Sequence, residues 1–429
     1  MSNSKIAHPG RSRGNWKAGL TLLGILALIL AIIIPLTLRY GGDDRNRPQA
    51  QDRRDIVALF YPKNDADVNS KSDYSFLETC SFKDCKIPVI ILDNTGQTYR
   101  YLVNPIFGSS VSLSPNHRLA LFADSDGNSN IFFNGGLTSI PGFPTDWSGV
   151  VSQIQDDGSA VLVRSVPRHL TLTPHHFLIT DGMATSKPAE SMKGTITSCD
   201  GQLWRFDNRN GGVLNEPPLV DEYTYDYPSE SFVAIERETP QAIVPRPFTQ
   251  CLGDGNGSFA LFQPIDSTLA DDQPGEMGLW IWTMKEGAVR DPHPYRALTD
   301  NPGFAPLQLA VDTTTLWVVH EDGALRSYNR ETGAMSEHWT LRDYFDETLG
   351  HINARVVFAG DQIIAVGKYK NDPETWIGAV YDRTDANPTV LVKIPLLTEN
   401  YLDRFLDVFN VTDPQAFITW LRAQPPLGA

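Results

Sequence analysis

The sequence is poor in cysteine and lacks the common catalytic signatures. Its 429 residues include only four cysteines. No two of them form the C-x-x-C spacing of zinc fingers and thioredoxin-like redox centres. The chain also lacks H-E-x-x-H, G-x-S-x-G and a Gly-Lys-Ser/Thr phosphate loop. These absences exclude the usual patterns of zinc proteases, α/β-hydrolases and P-loop nucleotidases, and no other catalytic pattern is legible.

Positive charge is also scarce, with a formal net charge of −15 at pH 7. Residues 1–38 contain four basic residues and no acidic one, so residues 39–429 carry 32 basic residues against 51 acidic ones. An acidic surface of this size repels phosphate backbones. We therefore expect no nucleic-acid partner.

Long hydrophobic runs are absent except for one, Gly19–Leu38, which contains no charged residue. As a helix it would span about 30 Å, the thickness of a bilayer core. Basic residues precede it, so the positive-inside rule predicts a cytoplasmic tail at 1–18, a signal-anchor transmembrane helix at 19–38 and an extracytoplasmic remainder. Residues 39–54 are charged and predict a disordered spacer. A cleavable signal peptide is the alternative, but no Ala-x-Ala site follows the run.

The extracytoplasmic location predicts disulfide bonds among the four cysteines. Cys80 and Cys85 are close in sequence and are predicted to pair with each other. Cys199 and Cys251 would then close a long loop between two neighbouring structural units.

Residues 55–397 alternate short β-like runs with turns rich in Gly, Asp, Asn and Pro, and contain no clear amphipathic helix of ten residues. Ile87–Leu92 and Gln97–Val103 flank Asp93–Gly96, which is a hairpin signal. Similar units recur every 40–57 residues or so, the period of propeller blades. We predict an all-β fold, a β-propeller of about seven blades, with six or eight as alternatives. The seven units are 55–103, 104–144, 145–190, 191–246, 247–300, 301–346 and 347–397.

Two stretches resemble known repeat families. Leu113–Phe122, LSPNHRLALF, resembles the first part of a blade in WD40-like and TolB-like propellers. Leu316–Gly333, LWVVHEDGALRSYNRETG, resembles a quinoprotein-like blade. The resemblance implies the propeller architecture and brings no active-site residue with it.

Residues 398–429 differ in pattern from the rest and predict short C-terminal helices. Leu402, Phe405, Leu406 and Phe409 recur at helical spacing, which predicts a first helix. Thr412-Asp-Pro-Gln is a capping-box sequence and predicts the start of a second.

Four oxygen-bearing side chains alternate in one loop: Asp124, Asp126, Asn128 and Asn130. Calcium requires six to eight oxygen ligands, and such loops supply them. An ordinary hairpin turn uses the same residue types, so it is the alternative. No cofactor is predicted beyond this candidate calcium site.

A second candidate site lies on a tyrosine-rich strand. Tyr223, Tyr225 and Tyr227 share one face by the two-residue period, and Asp226 lies on the other. Aromatic faces beside carboxylates suit sugars or cationic ligands. A packed strand with an acidic edge is the alternative.

These patterns together predict a single-pass membrane protein that presents a propeller to the periplasm or cell surface. Its expected role is that of a non-catalytic scaffold, binding a protein or glycan partner on the propeller face. The alternative function is a glycan-acting hydrolase or lyase with its site in the propeller channel. Two sequons, at Asn256 and Asn410, are acceptors for N-glycosylation in a eukaryotic secretory pathway.

Overall fold

A computed structural model describes most of the chain beyond residue 53. The described residues are 54–62, 87–103, 112–113, 119–123, 129–139, 148–154, 160–165, 175–180, 183–188, 195–199, 202–207, 219–226, 231–237, 248–254, 256–264, 276–283, 287–296, 306–348, 350–397 and 406–428. Residues 19–38, the predicted anchor, and the pair Cys80 and Cys85 lie outside them. Among the described residues, no helix is long and apolar enough to cross a membrane.

The first half of the chain contributes fifteen strands to the described residues. They are β1 (Ile56–Pro62), β2 (Ile87–Asp93), β3 (Thr98–Val103), β4 (Ser112–Leu113), β5 (Leu119–Ala123), β6 (Ser129–Phe133), β7 (Gly136–Ser139), β8 (Ser148–Ile154), β9 (Ala160–Ser165), β10 (His175–Thr180), β11 (Met183–Pro188), β12 (Thr195–Cys199), β13 (Gln202–Asp207), β14 (Leu219–Asp226) and β15 (Ser231–Arg237).

The second half contributes the remaining strands and the helical turns. The strands are β16 (Phe248–Cys251), β17 (Phe259–Pro264), β18 (Glu276–Thr283), β19 (Gly287–Arg290), β20 (Tyr295–Arg296), β21 (Pro306–Val311), β22 (Thr315–His320), β23 (Ala324–Asn329), β24 (Met335–Thr340), β25 (Glu347–Thr348), β26 (His351–Ile352), β27 (Ala354–Ala359), β28 (Gln362–Tyr369), β29 (Asp372–Asp382), β30 (Val390–Lys393) and β31 (Leu406–Val411). Within the described residues, one α-helix, α1, covers Pro414–Arg422, and 3-10 turns cover Leu341–Asp343 and Pro395–Leu397.

The described strands form six four-stranded antiparallel sheets, one five-stranded sheet and one two-stranded hairpin. In order along the chain the larger sheets are β31-β1-β2-β3, β4-β5-β6-β7, β8-β9-β10-β11, β12-β13-β14-β15, β16-β17-β18-β19 with β20, β21-β22-β23-β24 and β27-β28-β29-β30. Each predicted unit contains the strands of one of these sheets. The exception is β31, which lies after the last predicted unit but belongs to the first sheet. Strands follow one another up and down within each sheet.

The first strands of neighbouring sheets contact one another. β4 contacts β8, β8 contacts β12, β16 contacts β21, β21 contacts β27, and β27 contacts β31. Sheets that meet through their first strands and point their last strands outward are the blades of a propeller. The fold is therefore a β-propeller, as the sequence pattern predicts.

The two ends of the propeller domain meet in one sheet. β31 pairs antiparallel with β1, so the sheet contains three strands from the start of the domain and one from its end. The predicted helix through Leu406 and Phe409 is therefore wrong. Those residues form β31 instead, because the open edge of β1 offers ladder hydrogen bonds to this segment, which no isolated short helix could match. The propeller extends to Val411, and the second predicted helix forms as α1.

Middle strands are apolar on both faces because each sheet packs between two others. In β1, Val57, Ala58 and Phe60 join the core cluster beside α1, whereas Ile56 and Leu59 join the cluster facing the next sheet. This explains why β1 reads as an unbroken apolar run. Closure of the domain therefore buries side chains on both faces of its first strand.

The predicted bridge between Cys199 and Cys251 is confirmed. Cys199 ends β12 and Cys251 ends β16, so the bond joins the first strands of two successive sheets. It adds a covalent link at the inner side of the propeller. Beside it, the buried Trp204 ring packs edge-on against Phe259 at 4.8 Å.

Candidate functional site

The strand order sorts the connections of the propeller onto two faces. In an up-and-down sheet, successive connections alternate between the two ends of the strands. Connections between sheets, and those from second to third strands, fall on one face, which we call the long-connection face. Connections from first to second and from third to fourth strands fall on the other, the short-turn face.

The two faces differ in the length of their connections. On the long-connection face, connections cover 63–86, 208–218, 265–275 and 341–353. On the short-turn face, connections range from two residues, as at 134–135, 181–182, 200–201 and 360–361, to seven, as at 252–258 and 383–389. Binding residues are found preferentially on loops that a rigid scaffold positions. The long-connection face is therefore the candidate functional surface.

The described part of that face centres on a compact loop module, formed by residues 341–348, 350–353 and 367–376. The β25–β26 hairpin and the tip of the β28–β29 hairpin pack together in it. Backbone hydrogen bonds join Asp346 N to Lys368 O at 2.9 Å and Lys370 N to Tyr344 O at 3.0 Å. Lys368 N also donates to Asn353 O at 3.1 Å. The module is therefore held to the sheet by main-chain bonds, which fix the backbone from which its side chains extend.

Gly367 shows how closely the two parts of the module approach. A Cβ at this position would lie 2.2 Å from the backbone oxygen of Asn353 and 2.7 Å from the Cα of Ala354. Backbone atoms cannot give way as a flexible side chain can. Only glycine therefore permits this contact between β28 and the segment that enters β27.

The outer side chains of the module carry charges of both signs. Arg342 pairs with Glu347 at 3.1 Å, and its Nε donates to Asp322 O at 2.8 Å. His351 lies 3.0 Å from a carboxylate oxygen of Glu321. Lys370, Asn371 and the other residues of the hairpin tip are exposed, so the module offers a polar surface to a partner.

A buried histidine lies beneath the same face. His320 ends β22 and is only 3% exposed. Its Nε2 lies 3.3 Å from the Tyr328 hydroxyl, and its Nδ1 has no hydrogen-bond partner among the described residues. Burial and the nearby Arg326 guanidinium lower the pKa of His320 to about 4, so the ring is neutral at pH 7.

Charges next to His320 are paired with each other. The Arg326 guanidinium donates to Asp322 at 2.9 Å and to Glu337 at 3.2 Å. Backbone and side-chain hydrogen bonds, together with the Arg326 charge, lower the pKa of Asp322 although its burial acts to raise it. Burial raises the pKa of Tyr328 to about 12. The group is a neutral His–Tyr pair beside a compensated ion pair, which is typical of a structural polar cluster.

On the short-turn face, a stack of side chains joins two sheets. The Trp317 ring lies 4.9 Å from the His338 ring and 5.4 Å from the Arg383 guanidinium carbon, which is also 5.4 Å from Phe358. Asp312 accepts hydrogen bonds from Trp317 Nε1 at 2.9 Å and from Arg383 at 2.7 Å. The Trp317 ring is therefore in contact with His338 and Arg383, and the Arg383 charge is paired with Asp312. The stack stabilises the contact between sheets and does not offer an open aromatic surface to a ligand.

His338 enters that stack through an irregularity in β24. The register shifts between Leu325 and Arg326, which face Trp339 and Glu337, so His338 is the extra residue of a β-bulge. A bulge re-aims a side chain, and here the His338 Nε2 reaches the Ser327 hydroxyl at 2.8 Å.

The residues of the candidate calcium site fall mostly outside the described part of the chain. Asn130 lies in β6 and is buried, whereas Asp124, Asp126 and Asn128 belong to the undescribed connection between β5 and β6. By strand order this connection belongs to the long-connection face. Among the described residues, no group of three or more His, Cys, Asp or Glu could hold a metal ion. The calcium site stays a prediction.

The tyrosine-rich site is placed by its backbone alone. Tyr223, Tyr225 and Asp226 lie in β14, the third strand of its sheet, and Tyr225 pairs with Phe232 of β15. Tyr227 lies outside the described residues. Ligand binding at β14 stays a prediction.

Comparisons with known proteins find similar architectures only. No family model matches the chain, and no curated protein matches it. Similar solved structures include Kluyveromyces lactis Hsv2, at 10% identity and a TM-score of 0.42, covering 72% of this chain and 94% of that one. The β-propeller domain of Cps50 (Swd1) from Myceliophteria thermophila gives 10% identity, a TM-score of 0.40 and coverages of 69% and 90%. BamB from Moraxella catarrhalis has 12% identity and a TM-score of 0.34, and the match covers 71% of this chain and 82% of that one.

The loop module is the part of the candidate site that sequence reasoning missed. The sequence between Thr340 and Ala354 reads as an ordinary blade boundary. The signal available in the sequence was the length of this connection. The segment between Thr340 and Ala354 has thirteen residues, whereas the turn just before it, between β22 and β23, has only three, 321–323.

Proposed function

We propose that this protein is a membrane-anchored, extracytoplasmic, seven-bladed propeller that binds a partner through its long-connection face without catalysing a reaction. In this proposal the seven larger sheets are the blades, and residues 19–38 are the anchor. The concentration of long connections on one face carries the proposal. It is supported by the loop module, whose backbone is already ordered by main-chain hydrogen bonds. Binding then does not have to order this backbone, which lowers the entropic cost.

The orientation in the membrane comes from the sequence. Residues 1–18 contain four basic residues and no acidic residue, which favours a cytoplasmic N-terminus. Epitope tags at the two termini, probed with protease in intact and permeabilised cells, test this. The C-terminal tag should be cleaved in intact cells and the N-terminal tag only after permeabilisation; the reverse pattern would contradict the orientation.

Site-specific crosslinking of the anchored protein in its own membrane tests the binding face. A photo-crosslinker replaces exposed Lys370 in the loop module, and in a matched variant it replaces exposed Thr313 on the short-turn face. We expect a defined adduct from position 370 and none of that mass from position 313. Equal adducts from the two positions, or adducts from 313 alone, would reject the face.

A glycan-acting enzyme is the competing function. Purified residues 39–429 are incubated with a panel of glycans, and the products are followed by mass spectrometry. We expect no turnover, and reproducible cleavage of any glycan would replace the scaffold proposal with the enzymatic one.

A further inference from the structure

The connection between β16 and β17 presents a modifiable asparagine on the short-turn face. Asn256 is exposed and belongs to the sequon Asn256-Gly257-Ser258. Asp254 Oδ1 accepts hydrogen bonds from Asn256 N at 2.8 Å and from Ser258 N at 3.4 Å, so the sequon forms a tight Asx turn. Gly257, with φ of 70°, permits the left-handed backbone at its centre.

We propose that Asn256 carries an N-linked glycan when the chain passes through a eukaryotic secretory pathway. The site lies far along the chain from the anchor and on the face opposite the loop module. A glycan there would shield the short-turn face and leave the long-connection face open to a partner. The inference rests on the proposed orientation, which places residue 256 in the lumen.

The reaction needs the exposed amide of Asn256, the Ser258 hydroxyl that completes the sequon, and an activated sugar. Asn256 Nδ2 attacks C1 of an oligosaccharide that the host's transferase supplies on a lipid diphosphate. The nitrogen–carbon bond forms, the bond from C1 to the diphosphate oxygen breaks, and the lipid diphosphate leaves with the electron pair while the amide loses one proton. Asn256 is exposed, and its Nδ2 donates a hydrogen bond to the backbone oxygen of Asp254 at 3.3 Å.

The second sequon lies at the end of the strand that closes the domain. Asn410 lies within β31, paired with Leu59 of β1, and β31 also contacts β27 of the neighbouring blade. Thr412, the third residue of that sequon, donates its hydroxyl hydrogen to Ile56 O. A branched sugar on this innermost strand would disturb closure of the propeller, so we assign the modification to Asn256 alone.

The chain contains a matched control for this assignment. Asn387-Pro388-Thr389 has sequon spacing but is blocked by the proline. Its turn resembles the one at Asn256, because Asp385 Oδ1 accepts from Asn387 N at 2.9 Å and Asn387 is exposed on the same face. Substituting Pro388→Ala therefore creates an accessible acceptor in known geometry.

The test expresses the full chain in a eukaryotic cell line and compares gel mobility before and after digestion with peptide N-glycosidase. After digestion, the wild-type band should move to lower apparent mass by the equivalent of one glycan, which we call one step. Asn256→Gln and Ser258→Ala should each abolish the shift, Asn410→Gln should keep it, and Pro388→Ala should add a second step.

Three results would overturn the site. An unshifted wild type with a shifted Pro388→Ala variant would show that the orientation is right and Asn256 is unmodified. A shift lost with Asn410→Gln instead of Asn256→Gln would reassign it. If neither wild type nor the Pro388→Ala variant shifts, the proposed orientation fails and the assignment with it.

Discussion

Gln250 and Leu309 exchange two hydrogen bonds across the boundary between neighbouring blades. Gln250 Nε2 donates to Leu309 O at 2.6 Å, and Leu309 N donates to Gln250 Oε1 at 2.8 Å. The side-chain amide thus takes the place that a backbone strand would take in a ladder. β16 and β21 are first strands of different sheets, so this amide joins two blades at the inner side of the propeller.

Removing that amide should destabilise the propeller measurably. In Gln250→Ala, the buried backbone N–H and C=O of Leu309 both lose their partner, so we expect a loss of about 1–3 kcal/mol in unfolding free energy. Urea titration followed by tryptophan fluorescence measures it. Gln415→Ala, on an exposed position of α1, is the control and should stay within about 0.5 kcal/mol of wild type. An equal loss in the two variants would contradict the bridging role.

The disulfide bond between Cys199 and Cys251 should also stabilise the propeller. It joins β16 to β12 of the preceding blade, whereas Gln250 joins β16 to β21 of the following one. It closes a loop with a sequence separation of 52. Restricting an unfolded loop of this size contributes about 2–4 kcal/mol. The double variant Cys199→Ala, Cys251→Ala should lower the Tm in thermal scans without reductant.

Reductant then provides an internal check on the double variant. Wild type should lose stability when a thiol reductant is added, and the double variant should lose less because it lacks the bond between Cys199 and Cys251. A double variant as stable as wild type would show that the bridge contributes nothing to folding.

Much of the fold could be predicted from sequence because its signals are local. Turn residues such as Asp93 and Gly96 mark reversals, and Gly96 adopts a φ of 83° that other residues avoid. Strands between two sheets read as apolar runs. Together these signals located the units. Cys199 is predicted to pair with Cys251 because the close spacing of Cys80 and Cys85 favours a bond between those two.

Closure of the domain and the candidate site could not be predicted in the same way. Leu406 and Phe409 fit helical spacing, and the partner that makes them a strand, β1, lies some 350 residues upstream, where no local pattern records the pairing. The site depends on which connections share a face, and that requires the bounds and order of all strands. The loop module became visible only once those were known.

The C-terminal helix should lock the closing strand in place. Phe417 is fully buried, and its ring lies 6.0 Å from that of Phe60 in β1. Deleting a buried aromatic ring leaves a cavity that costs about 3–5 kcal/mol. We expect Phe417→Ala to lose that much in urea unfolding, whereas Thr419→Ala, on the exposed side of α1, should lose less than about 1 kcal/mol. Similar losses in the two variants would mean that α1 does not hold the closure.

Stability should fall in mild acid because of His320. Its pKa is about 4 in the folded protein and about 6.5 in the unfolded chain, so above pH 6.5 both states are neutral and the group has no effect on stability. Between pH 6.5 and pH 4, the unfolded chain binds a proton that the folded protein excludes. The linkage amounts to at most about 3 kcal/mol at the lower limit.

Replacing His320 should remove that pH dependence. The unfolding free energy of His320→Gln should decline less between pH 6.5 and pH 4 than that of wild type, although Asp322, whose pKa is lowered by its hydrogen bonds and by Arg326, contributes its own loss in both proteins at lower pH. Val318→Ala in the same strand is the matched control, since it destabilises the core but should keep the wild-type slope. If His320→Gln keeps the full wild-type slope, the buried histidine is not the group that titrates, because a neutral amide cannot take up the proton.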